Sequence, residues 1–87
     1  MQLTFQISML IQPDGKKLRL VLTDGSTELA CRRETPANLR RFLTSPQTQL
    51  FNGRLQLHKT GKAIAVSLKG EQLGVVCIED FGKALAG

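Results

Sequence analysis

The sequence predicts an α+β domain of two β-β-β-α units forming antiparallel sheet, with two short helices packed on the apolar side. Three observations carry this reading. Apolar residues alternate along most of the chain, as strands with one buried face require. Glycine-containing turns break the alternation at short intervals. Helical spacing replaces alternation twice, after Thr35-Pro36 and after Asp80. At 87 residues the chain suits one small domain, residues 1–87, with repeat-like halves 1–45 and 47–87.

Residues 2–12 read as the first strand, with Leu3, Phe5, Ile7, Met9 and Ile11 inward and Thr4, Gln6 and Ser8 outward. Pro13-Asp14-Gly15-Lys16 is a turn, because proline presets its own φ and glycine tolerates positive φ. Residues 17–23 alternate again with Leu18, Leu20 and Leu22 inward. Asp24-Gly25 is a strong hairpin signal. A third strand over 27–33 would turn Leu29 and Cys31 inward and Glu28 and Arg32 outward, on the side where Arg19 of strand 17–23 also lies.

Thr35-Pro36 opens a helix. Threonine caps well, and proline fits the first turn, where its missing N–H is not needed. Leu39, Phe42 and Leu43 share one face, and Ser45-Pro46 ends the helix. The second half repeats the order. Leu55 and Leu57 face inward on 54–59, followed by a turn at Thr60-Gly61-Lys62. Ile64, Val66 and Leu68 form the next inward row, then a turn at Lys69-Gly70-Glu71. Leu73, Val75 and Cys77 form the third row, and Asp80 caps a final helix with Phe81, Ala84 and Leu85 on one side.

The halves align without gaps at an offset of 46, pairing Phe5 with Phe51, Gly15 with Gly61, Lys16 with Lys62, Leu22 with Leu68, Cys31 with Cys77 and Leu39 with Leu85. Such internal similarity predicts a pseudo-duplicated fold in which each meander has one apolar face and the two share a core. The order of elements and the basic balance resemble the Pur-alpha and Whirly type of single-strand binder, which pairs β-rich repeats with a helix. The three-strand, helix, further-strand order is also similar to an OB barrel. Both resemblances rest on element order; no motif residue is matched, and no site is carried over.

Composition narrows the function classes. Twelve Lys and Arg against seven Asp and Glu give a net charge of +5, which favours an acidic partner such as nucleic acid. No apolar run approaches the roughly 20 residues that span a bilayer. Met1-Gln2-Leu3-Thr4 lacks the basic region of a secretory leader, and two cysteines are too few for a disulfide scaffold, so a cytoplasmic location is expected. His58, the one histidine, falls outward with no partner for general-base chemistry. Cys31 and Cys77 read as core thiols, and with His58 they lack metal-ligand spacing, so no metal or cofactor is expected. With no Trp or Tyr, and with Phe5, Phe42 and Phe81 fitting apolar faces, the aromatic inventory tells against single-strand binding, and only Arg19 or Arg32 could offer a plane to a base.

These features predict a small non-catalytic basic module that binds nucleic-acid phosphates through Lys16, Lys17, Arg19, Arg32, Arg33, Arg40 and Arg41. The alternative is a protein-interaction or assembly subunit, such as a homodimer, using Ala63, Ala65, Val76 and Ile78 or an open strand edge.

Overall fold

The computed structural model describes residues 1–86. Among them the order is β1 (Ser8–Asp14), β2 (Lys17–Thr23), β3 (Glu28–Glu34), α1 (Pro36–Thr44), β4 (Gln49–Leu50), β5 (Leu55–Thr60), β6 (Ala63–Leu68), β7 (Glu71–Cys77) and α2 (Ile78–Ala86). The strands form two antiparallel sheets, β1-β2-β3 and β4-β5-β6-β7. The expected α+β class and the β-β-β-α order are what the chain adopts. The second unit gains β4, a two-residue strand too short to show a period in the sequence.

Turn chemistry sets the hairpins. Asp14 pairs with Lys17, and Thr60 with Ala63. Gly15 and Gly61 therefore each open a two-residue loop, and both have φ of 62°. Glycine at the first central position with positive φ is the signature of a type II′ turn, whose twist matches that of the strands. The β6–β7 loop is Lys69-Gly70, with φ of 53° and 83°, as type I′ requires. The β2–β3 connection is longer. Asp24 Oδ1 accepts from the Ser26 and Thr27 N–H groups at 3.0 and 2.8 Å and closes it as an Asx turn.

That difference in loop length limits the gapless repeat. The β1–β2 and β5–β6 hairpins correspond at the offset of 46. Across the sheets, however, Arg32 opposite Leu20 corresponds to Gly74 opposite Val66, and α1 to α2, both at an offset of 42. Cys31 and Cys77 are therefore not structural counterparts.

Each third strand also carries an irregularity. In β3 the pairing slips between Leu22 and Thr23, leaving Leu29 extra; in β7 it slips between Val66 and Ser67, leaving Leu73 extra. A bulge of this kind shifts the alternation by one residue. Both Leu29 and Leu73 still touch the core, but Ala30 and Val76 are the buried residues that follow them. This corrects several expected orientations. Cys31 lies on the outward face, Cys77 is exposed, and Val75 is 51% exposed. Arg32 turns to the core-side face.

The N-terminal segment departs as well. Thr4 Oγ1 accepts from the Gln6 and Ile7 N–H groups at 3.2 and 3.0 Å, while Leu3 N–H donates to Ile7 O at 2.8 Å. This local turn replaces the first half of the expected strand. It leaves Phe5 at the tip, 95% exposed instead of inward. Leu3 then runs across β7. A Cβ at Gly74 would lie 2.6 Å from Leu3 O, so only glycine admits this crossing.

The two sheets and both helices share one interior. Met9, Leu20 and Leu22 come from the first sheet, Leu55, Leu57, Ile64 and Val66 from the second, and Leu39, Phe42, Phe81 and Leu85 from the helices. α1 packs against α2. Thr35 caps α1 by accepting from Asn38 N–H at 3.2 Å, and Pro36 sits in its first turn. α2 has no such entry. It continues directly from β7, with Ile78 N–H donating to Lys62 O at 2.9 Å and Glu79 and Asp80 inside the first turn, so Asp80 is not a cap.

Candidate nucleic-acid interface

Strand register divides the seven basic residues proposed from the sequence among several places. Lys17, Arg19 and Arg33 share the outward face of the first sheet, where Gln12, Arg19 and Arg33 lie side by side across the three strands. Lys16 stands at the tip of the β1–β2 hairpin. Arg40 and Arg41 are exposed on α1, off the buried Leu39–Phe42 stripe. Arg32 points to the other side of the first sheet, above the second.

Carboxylates neutralise part of the outward face. Arg19 forms an ion pair with Glu28, and Arg33 Nε lies 2.8 Å from Asp14 Oδ2. The Cys31 side chain, and then the Glu28 charge, push the Arg19 pKa up. Beside these pairs runs an apolar row, Leu10, Val21 and Cys31, aligned across the three strands. Among the described residues, Lys16, Lys17, Arg32, Arg40 and Arg41 have no carboxylate oxygen within ion-pair distance.

Glu34 closes the end of β3. Its Oε1 accepts from Thr35 N–H at 2.8 Å and Asn38 Nδ2 at 2.9 Å. Burial acts to raise its pKa. The hydrogen bonds from Asn38 and Thr35, helped by the charges of Lys17 and Arg32, outweigh that and hold the carboxyl below its ordinary range. Glu34, Asn38, Arg41, Gln47 and Leu50 line a shallow polar groove between α1 and the start of the second sheet.

Arg32 has the most specific setting. Its guanidinium carbon lies 4.7 Å from the centroid of the Phe51 ring. Phe51 is 7% exposed and has φ of 71°, a left-handed conformation uncommon for an aromatic residue. Gly53 leaves room alongside, since a Cβ there would come 3.2 Å from Arg32 Nη1. The alternating pattern gave no hint of this contact. It assigns Arg32 to the outward face and treats Phe51 only as the counterpart of Phe5. Lys59 makes the other cation–π contact, its Nζ 5.1 Å from the Phe42 ring centroid, and donates to Ser45 O at the C-terminal end of α1. Its place is structural, since positive charge there complements the helix dipole.

The proposed interface residues are also divided. Ala63 and Ala65 lie on the outward face of the second sheet, but Ala65, flanked by His58 and Val75, is buried at 6% exposure, contrary to the expected interface role. Val76 is buried in the core at 7% exposure, and Ile78 opens α2 half-buried against that core. The Leu73 bulge reverses the expected orientation, and Val75 occupies the outward place given to Val76. His58 is half-buried on this face, its Nε2 3.3 Å from Gln56 Oε1. Among the described residues, no three His, Cys, Asp or Glu side chains are grouped to hold a metal ion, and no helix is long and apolar enough to cross a membrane.

Comparison with protein-family models, with curated proteins and with solved structures finds no match to this chain.

Proposed function

We propose that this protein is a small non-catalytic module that binds nucleic acid through its phosphates. The observation that carries the reading is the set of basic groups without carboxylate partners. Lys16, Lys17, Arg40 and Arg41 are exposed and lack ion pairs among the described residues, in a chain of net charge +5. Side chains of this kind neutralise nucleic-acid phosphates and release the cations condensed on them, which makes binding salt-dependent. Arg19 and Arg33 stand next to Lys17 on one rigid face and extend the positive field, although each is partly neutralised.

Fluorescence anisotropy with labelled single- and double-stranded oligonucleotides tests this. Binding is expected at micromolar protein in low salt, with a steep decline between about 50 and 200 mM salt. Neutralising Lys16, Lys17, Arg40 and Arg41 to glutamine is expected to flatten the salt dependence by roughly 0.7 in log–log slope per lost contact on a single strand. No binding at micromolar protein in low salt removes the reading.

A second reading, self-association or a protein partner, is favoured by Val75, which is 51% exposed beside Ala63 and Ala65 on the outward face of the second sheet. Sedimentation across a concentration series separates the two. A strict monomer at high concentration removes the homodimer.

A further inference from the structure

We infer that Arg32, seated over Phe51, is a stacking plane for a nucleobase, so that the nucleic acid bound is single-stranded. The inference rests on the phosphate-binding reading above and names the substrate class within it.

Three features of the Arg32 site point to this chemistry. The guanidinium is ordered by the fold. Phe51 supports it at 4.7 Å, and side-chain-free Gly53 lets it approach. Gln49 Nε2 donates to Phe51 O at 3.1 Å and secures the left-handed residue that presents the ring. Next, the group stays open: Arg32 is exposed although one side of it rests on an aromatic ring. Finally, it forms no ion pair among the described residues, although its charge helps to hold the Glu34 carboxyl low.

A guanidinium combines a planar face that stacks on π systems with N–H donors that reach phosphate. Unstacked bases are held on aromatic rings or on Arg planes, and stacking tolerates any sequence because every base has a π face. In a duplex those faces are covered by neighbouring base pairs. Holding the side chain in place beforehand removes the rotamer cost that a free surface arginine meets on binding. A lysine at the same position keeps the charge but loses the plane.

The test compares a labelled oligothymidylate with an abasic oligomer of the same length, which keeps every phosphate and lacks every base. Wild-type protein is expected to bind the oligothymidylate about five- to 150-fold more tightly than the abasic strand. Arg32→Lys is expected to abolish that preference, losing more affinity on the oligothymidylate than on the abasic strand. Arg32→Ala is expected to lose the preference and also to weaken abasic binding slightly, through its lost charge. Equal wild-type affinity for the two strands overturns the stacking plane while leaving phosphate binding intact. A loss in Arg32→Lys that is the same on both strands also overturns it, and assigns Arg32 to covering the core. Binding to neither strand removes the parent reading and this one together. The wild-type comparison decides without relying on any variant to fold.

Discussion

Gly74 has no side chain where the main chain of Leu3 crosses β7, and the missing Cβ would lie 2.6 Å from Leu3 O. The partner is backbone, so a methyl group there cannot be accommodated by a rotamer change. Gly74→Ala is expected to cost about 1–3 kcal/mol, the range for overpacking a fitted interior, read from urea unfolding. An unchanged midpoint would contradict the crossing. Phe5 presents the opposite case. At 95% exposure on a turn tip, Phe5→Ser is expected to stay within about 0.5 kcal/mol of the parent. A core-sized loss would restore the alternating strand that the sequence suggests. Carboxylates act at this scale too. Hydrogen bonds from Ser26, then from Thr27, lower the Asp24 pKa, and Glu34 is also held low. A lowered folded pKa contributes stability above the unfolded value, and that contribution is lost as pH falls through the folded one. Stability is therefore expected to decline below about pH 4, and less steeply in Asp24→Asn/Glu34→Gln. Identical acid profiles for parent and double variant would contradict this.

At the scale of elements, local chemistry was legible and pairing was not. α1 is bounded by Thr35-Pro36 and Ser45-Pro46, and each bound acts through its own side chain or ring. Thr35→Ala is accordingly expected to lose about 1 kcal/mol, measured by thermal or urea unfolding. The hairpin glycines were readable for the same reason, because positive φ is a property of the residue itself. The faces of β3 and β7 were not readable. An extra residue at Leu29 or Leu73 is decided by how the strand fits β2 or β6, and nothing in the strand's own alternation marks it. The period Leu73-Val75-Cys77 even points the wrong way beyond Leu73, since Val75 and Cys77 are exposed and Val76 is buried. Residues 2–7 show alternation defeated by a nearer interaction, the Thr4 hydroxyl on two backbone donors. α2 begins at Ile78 without a capping residue, and the acids of its first turn, Glu79 and Asp80, mark the helix but not its first residue.

Across the whole molecule, two sheets and two helices close on one interior in which Leu20 and Val66 are both fully buried. That shared core was readable from pooled apolar rows, because burial of many side chains tolerates a few misassigned ones. The candidate site was less readable. Net charge is a sum and survives any arrangement, but the face on which each charge stands depends on the bulges. Lys17, Arg19 and Arg33 were brought together by register, while Arg32 was carried to the other side of its sheet and onto Phe51. Backbone amide chemical-shift mapping during titration with a single-stranded oligonucleotide tests the phosphate-binding face directly. Shifts are expected at Lys16–Arg19, Arg32–Arg33, Arg40–Arg41 and Phe51–Gly53, with the outward face of the second sheet around Ala65 and Val75 unmoved. Shifts confined to that second face, or none at saturating oligonucleotide, would contradict the phosphate-binding face.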